Sequence, residues 1–365
     1  MKIRHLSLRD FRNFESIELN FNSNINIFIG DNAQGKTNLL EAIYLLSTGR
    51  SHRVSDEKLM IRKDSEMAVC KAVVDTDVQL QLKVVLHDKG KTLFYQNQPL
   101  KKSSEFIGKM NAVLFSPSDM DLFETSPKDR RKLFDVELGK IKPFYMDLLT
   151  QYVKVLKDRN VYLKGSEIDD DYLEILTSKL ISLQVEIIRY KTGFVDRLNQ
   201  IVTSYYQRLS LSKSSIKIAY QGPVEWSDHL QYDLIDKYRR NLDRDRVFKL
   251  THVGIHRDDY IFSMDNQFVT SVASQGQKRL IIVALKCALI EVIEEMSGDK
   301  PILLLDDVFS ELDKQKRIAL FDVLHLNTQT MITTTDLEDV QLWLKDQITV
   351  FEVKGGKVFE RSSIL

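Results

Sequence analysis

Eight residues near the N-terminus, Gly30-Asp31-Asn32-Ala33-Gln34-Gly35-Lys36-Thr37, fit the phosphate-loop pattern G-x-x-x-x-G-K-[ST]. Gly30 and Gly35 let backbone amides curl around phosphate oxygens, and a helix starting there adds the positive end of its dipole. Lys36 is expected to reach the β- and γ-phosphates, and the Thr37 hydroxyl to ligate Mg²⁺. Near the other end of the chain, "PILLLDDVFSELD" (301–313) sets two carboxylates after an apolar run. Asp306 is expected to hold the Mg²⁺, directly or through its water shell. Asp307 is placed to orient or deprotonate an attacking water.

A second stretch, "ASQGQKRL" (273–280), also has the makings of an anion seat. Ser274 offers a hydroxyl, Gly276 permits close backbone approach, and the helix that follows offers unpaired N–H groups. An ordinary helix cap, with Ser274 bonded to its own helix, accounts for the same residues. Local chemistry does not decide between the two, nor whether Ser274 meets a nucleotide in its own chain or in another.

The elements around these groups are readable. "INIFIG" (25–30) reads as a strand entering a core, and "NLLEAIYLLSTG" as a helix stopped by Gly49. "ILLL" before Asp306 reads as a buried strand, with "TMITTTD" (330–336) as another. Acids at the carboxyl end of such a strand sit where ligands bind in a parallel sheet. Thr37 and Asp306 stand 269 residues apart in a chain of 365, so something large is inserted between them. Phe134, Leu138, Ile141, Tyr145, Leu148, Tyr152 and Val155 make one heptad-like seam, and "KGSEIDD" (164–170) breaks it. A second seam runs from Leu173 to Tyr205. These predict two long helices, over about residues 130–163 and 170–209, paired antiparallel as an arm. Each would be on the order of 50 Å long at about 1.5 Å per residue. The fold class expected is α/β, a phosphate-loop ATPase head with an inserted antiparallel helical arm. Residues 1–120 and 245–365 are assigned to the head, and 121–244 to the arm.

Bulk properties exclude several classes. In 365 residues, 52 basic side chains balance 52 acidic ones, so any nucleic-acid contact must come from a localised or composite patch. Basic clusters occur at 50–63, 128–132 and 237–246, each with acids interleaved. Arg130, Arg131 and Lys132 are the DNA candidates taken from local charge. Two cysteines, Cys70 and Cys287, make neither a disulfide framework nor a metal cluster. "MKIRHLSLRD" lacks the apolar core of a signal peptide, and no apolar run reaches the roughly 18 residues of a membrane span. A cytoplasmic protein is expected.

The order "GDNAQGKT … SQGQ … LLLDD … SELD" resembles the ATP-binding-cassette head shared by transporters, chromosome-structural ATPases and recombination-repair ATPases. "LRDFRNF" (8–14), "LFSPSDMDLFETSPKDRRKLFD" (114–135), "GIHRDD" (254–259) and "ITTTD" (332–336) make the chain similar, end to end, to the bacterial recombination-mediator ATPases. The resemblance implies that Ser274, Gly276 and Gln277 form a signature facing the ATP of a second subunit. It implies an ATP-dependent homodimer with two sandwiched nucleotides. Ser310 to Asp313 would form the loop packed across that dimer, and Arg12 with Asn13 would contact nucleotide. It further implies DNA binding at gaps and junctions, and work with RecO and RecR in loading RecA, during gap repair, SOS induction and replication restart. Two departures stand out. Thr335 occupies the place of the switch histidine, which points to weak, slow ATP hydrolysis. Ile255 replaces the proline expected before His256 and Arg257. The rival classes are a transporter's nucleotide-binding subunit, a metabolic phosphotransferase and a stalked chromosome-structural ATPase.

Overall fold

The computed structural model describes residues 1–309, 314–324, 328–338, 340 and 348–361. The chain divides into two compact units, Met1–Met120 with Ser204–Lys213 and Arg279–Leu365, and Asp121–Thr203 with Ser214–Lys278.

Two sheets build the first unit. One has the order Lys357–Glu360, Ile348–Lys354, Ile25–Ile29, Thr330–Thr334, Ile302–Asp306, Ala112–Phe115, parallel except at the Lys357–Glu360 edge. The strands Ala112–Phe115, Ile302–Asp306 and Thr330–Thr334 are buried along their whole length; the first is apolar throughout and the second up to Asp306, while the third buries threonines as well. The other sheet is antiparallel and is led by Lys2–Phe11, Phe14–Asn20, Met67–Asp75 and Gln79–His87. Alternate residues of its strands, among them Cys70, Ala72, Leu82 and Val84, enter the core. The helix Lys36–Thr48 packs against strands of both sheets, so apolar side chains surround it on nearly every face.

In the second unit the first expected helix is two helices, Pro127–Ile141 and Pro143–Tyr162. Pro143 supplies no backbone N–H and forces Lys142 out of the helical region, to φ −129° and ψ 84°. The apolar seam continues through the break, with Phe134, Leu138, Ile141, Tyr145, Leu148 and Tyr152 all buried. The helix Asp170–Ser210 has 41 residues, about 60 Å at 1.5 Å per residue. Its pairing is antiparallel: Tyr162 meets Tyr172, Arg159 bonds Thr177, and Tyr145 meets Tyr190.

The unit boundary differs from the expected one at residue 245. Residues 245–278 belong with the arm, because Asp259–Met264 pairs antiparallel with Ile216–Gln221 and with Gln267–Phe268. Asp245, at the end of the helix Leu230–Phe248, also accepts a 2.8 Å bond from the buried Arg159 guanidinium, which donates to Thr177 and Thr251 as well. One cation thus ties three helices and a loop. Residues 204–213, at the far end of the long helix, group with the first unit.

A second buried cation, Lys191, donates to Asp258 at 2.7 Å and lies 3.3 Å from Asp135. Tyr220 donates to the same Asp258 carboxylate. Burial alone would depress the Lys191 amine, but Asp135 and Asp258 outweigh it and hold the amine above its ordinary value. His256 has a structural place nearby. Its Nδ1 lies 2.7 Å from the Tyr152 hydroxyl and its Nε2 lies 3.1 Å from the Thr251 carbonyl. Burial lowers its pKa to about 4. Arg257 beside it is exposed.

Two outcomes follow from these contacts. Lys191→Met leaves buried carboxylates without their cation and should cost about 3–5 kcal/mol in urea denaturation, part of it recovered by adding Asp258→Asn. The neutral His256 site makes the fold lose stability as pH drops from about 6.5 towards 4, since only the unfolded chain takes up the proton there. The loss should reach about 2 kcal/mol at pH 5. A pH series of melts on His256→Gln should show a flatter profile than the parent chain.

Candidate nucleotide-binding site

The phosphate loop joins the strand Ile25–Ile29 to the helix Lys36–Thr48, with Gly35 at the helix N-cap. Gly35 adopts φ 113°, and a Cβ there would lie 2.5 Å from the Asn13 side chain. A Cβ on Gly30 would collide with the Val353 carbonyl. Both glycines are therefore demanded by the loop's own packing. Ala33 also takes a positive φ of 65°, so successive amides line a concave turn suited to an anion.

Around the loop, Asn13 donates to the Gln34 carbonyl at 2.9 Å and accepts from Asn38 at 2.8 Å. The Gln34 side chain accepts from the Gly355 amide. Asn13 therefore braces the loop from outside. Arg12 makes a bidentate pair with Glu41, at 2.8 and 2.7 Å, and donates to the Leu59 carbonyl. Glu41 is fully buried on the phosphate-loop helix. Burial works against its ionisation, but Arg12 and the Ser51 hydroxyl hold its carboxyl below the usual range. The structure thus gives the Arg12 guanidinium a buried structural partner, which the expectation of a nucleotide contact did not foresee.

The parallel sheet brings the distant halves of the site together. One strand, Thr330–Thr334, separates the loop strand from the acid strand. The Thr37 hydroxyl donates to Asp306 Oδ1 at 2.9 Å across 269 residues of sequence. Thr333 donates to the same oxygen at 2.7 Å, while its own Oγ1 accepts from the Asp307 amide at 3.0 Å. Burial pushes the Asp306 carboxyl up, Thr333 and Thr37 oppose that rise, and Asp307 adds to it. The Lys36 ammonium is nearly buried and donates to the Gly30 and Asp31 carbonyls at 2.5 and 2.9 Å. Burial lowers its pKa, with Asp307, Asp306 and Asp31 acting against the shift. Asp307 takes a left-handed backbone, φ 51°, and lines a cleft of about 40 Å³ with Ser116, Asp119 and Arg279.

A hydroxyl and a carboxylate on one point suit a hard cation held mainly by phosphate oxygens and water, as Mg²⁺ prefers. Among the described residues no cluster of three or more His, Cys, Asp or Glu could hold a metal by itself. Thr333 is the site residue that the sequence reading missed; only the run "TTT" at the end of its strand marked it.

Ser274 and Gln277 form a reciprocal cap on the helix Gln275–Ser297. The Gln277 amide donates to Ser274 Oγ at 3.2 Å, and the Ser274 amide to Gln277 Oε1 at 2.9 Å. Both Ser274 and Gly276 are exposed, and a Cβ on Gly276 would meet nothing within 4 Å. Lys278 is buried and pairs with Glu124 at 3.2 Å. Thr335 is exposed. The expected cross-dimer loop, 310–313, lies outside the described residues.

Of the three DNA candidates, two have internal partners. Arg130 grips Asp259 with two bonds of 2.7 and 2.8 Å, and Arg131 donates to the Asp258 carbonyl at 2.6 Å. They fasten the start of the arm to its small sheet. Lys132 alone is exposed.

The family model described as the RecF/RecN/SMC N terminal domain matches residues 2–358. The chain is 39% identical over 366 residues to the DNA replication and repair protein RecF of Streptococcus suis, covering 99% of this chain and all of that one. It is 36% identical to the Enterococcus faecalis protein of the same name, with both chains covered in full. A solved structure of the recombination mediator RecF with ATP, from the RecFOR pathway, superposes with a TM-score of 0.91 at 31% identity, over 99% of this chain and 97% of that one. An Smc head from Pyrococcus furiosus shares the fold alone, at a TM-score of 0.56 and 15% identity. The α/β architecture is that of an ATP-binding-cassette head, and the chain belongs to the RecF family of DNA replication and repair proteins.

Proposed function

We propose that this chain is an ATP-operated DNA clamp that acts as a recombination mediator. In this reading Lys36 and the loop amides hold the ATP phosphates, and Thr37 with Asp306 holds Mg²⁺. That metal would supply positive charge to the phosphate oxygens. Asp307 orients or deprotonates the attacking water, and its cleft has room for one. Thr335, unlike a histidine, offers no ring nitrogen at the switch position, so hydrolysis is weak and serves as a release step.

The observation that carries the reading is Gly276. Glycine in the first turn of a helix costs up to about 1 kcal/mol relative to alanine. Neighbouring atoms of the chain do not require it, since a Cβ would point into open space. Its absence of side chain has a use if another molecule comes close, beside an exposed serine hydroxyl and a helix N-terminus. We assign that molecule to the ATP on a second copy of the chain, which makes a two-fold homodimer with two sandwiched nucleotides. Closing the dimer joins two modest basic surfaces into one, which answers the zero net charge. Single- or double-stranded DNA near gaps and junctions is the substrate surface, contacted mainly through phosphates. ATP and DNA each favour the closed dimer and so strengthen each other's binding. The family relation supports action with RecO and RecR in helping RecA load during repair, replication restart and SOS induction. We assign it to the cytoplasm; among the described residues no helix is long and apolar enough to cross a membrane.

Light scattering with and without ATP tests the dimer. The parent chain should dimerise only with ATP, and Lys36→Met and Ser274→Arg should both stay monomeric. The former should also lose about 2 kcal/mol or more of ATP affinity. Normal dimerisation of Ser274→Arg would reduce "SQGQ" to a helix cap and remove the clamp. Asp307→Asn should bind ATP and dimerise, yet hydrolyse on the order of 100-fold more slowly, so that the dimer persists in a chase with ADP. Unchanged turnover would take the water-activating role away from Asp307.

A further inference from the structure

The helix Leu230–Phe248 in the second unit buries only Leu230, Leu234, Tyr238 and Asp245, and turns the rest of its length to solvent. Its acids are largely engaged. Asp233 accepts from Ser227, Asp236 pairs with Arg240, and Asp245 is held by Arg159. Its cations are not: Lys237, Arg239 and Arg244 are exposed and make no ion pair among the described residues, and neither does Lys249 at the C-cap. This sets the helix apart from the basic run at 128–132, whose arginines are spent on Asp258 and Asp259. An aromatic ring ends the exposed strip. Phe248 is 64% exposed, with the Arg244 guanidinium 6.0 Å from its centroid and His252 packed edge-on at 5.4 Å.

We propose that the side of this helix carrying Phe248 is a seat for single-stranded DNA, with Lys237 and Arg244, which lie on that side at about 100° per residue, on the phosphates and a base stacked on Phe248. The proposal rests on the reading of the chain as a DNA-binding clamp and names a surface for the strand. Unpaired cations supply the sequence-independent attraction, and they do so without first having to leave an internal acid. A solvent-facing ring already held edge-on by His252 is preorganised for stacking, and stacking distinguishes an unpaired base from one enclosed in a duplex. Val247 and Leu250, close in sequence, are exposed as well.

The test measures anisotropy of a labelled oligothymidylate and of a duplex of equal length, with ATP, over a salt series. The variants are Lys237→Glu/Arg244→Glu, the milder Lys237→Gln/Arg244→Gln, and Phe248→Ala. Unchanged circular dichroism and ATP-dependent dimerisation establish that each variant is folded. Loss of two phosphate contacts should make the single-strand salt slope shallower by about 1.4 and weaken binding on the order of tenfold. Phe248→Ala should weaken the oligothymidylate on the order of tenfold and leave the duplex unchanged. The assignment is overturned if the Lys237/Arg244 pair leaves affinity and slope unaltered, or if Phe248→Ala is silent or affects both DNAs equally. It is also overturned if the variants lose only binding to phosphatidylglycerol vesicles, which would make the face a membrane contact. If the parent chain with ATP binds neither DNA, the clamp reading itself falls, a result distinct from failure of this face alone.

Discussion

The bond from Thr37 to Asp306 is the constraint around which the first unit is arranged. It joins a helix N-terminus to the end of a strand 269 residues away, at 2.9 Å, and it shares its acceptor oxygen with Thr333. Such a contact needs three parallel strands in fixed register, with the loop strand, Thr330–Thr334 and the acid strand ending at one edge. Parallel strands need crossovers, and a core must cover both faces of the sheet. The second sheet and the phosphate-loop helix meet that demand. The glycines then have little freedom, because Gly30 abuts the Val353 carbonyl of a neighbouring strand and Gly35 abuts Asn13.

Charge is managed differently in the two units. The site sets Asp31, Asp306 and Asp307 near a single nearly buried lysine; burial lowers its amine against the pull of those acids and raises the Asp306 carboxyl. In the function proposed above, polyphosphate and a divalent cation would complete that arrangement. In the arm, each buried cation has its acids already in place: Arg159 with Asp245, and Lys191 with Asp258 and Asp135. Such pairs add little net stability over apolar packing, but they penalise any shift in register between helices that are otherwise lined with interchangeable Leu, Ile and Tyr. Three helices and a small sheet are located by these few contacts.

The Ser274–Gln277 loop is complete as a helix cap, and in the proposed dimer the same geometry would also meet the partner's ATP. The reciprocal bonds of Ser274 and Gln277 satisfy the helix terminus by ordinary capping, so the local structure is complete without a ligand. Yet the serine is exposed and Gly276 has open space beside it. A capped loop held in one conformation, with Lys278 anchored on Glu124, loses less entropy on meeting an anion than a mobile one would.

Much of this molecule was legible from residue order. The phosphate loop, the acid strand and the two apolar seams declare themselves through local spacing, because backbone conformation and helical or strand periodicity depend on near neighbours. Pro143 was visible too, but the heptad seam running through it hid the break that its missing N–H imposes. What residue order could not settle was which charges meet. Arg12 was singled out for nucleotide, and Arg130 and Arg131 for DNA, but residue order did not show that Glu41, Asp259 and Asp258 would be their partners in the fold. The arm's claim on residues 245–278 likewise depends on strands 216–221 and 259–264 pairing across a helix. Sequence carries the number and sign of charges, but a charge is committed or free only once burial and distance have chosen its partner. Both are properties of the packed chain.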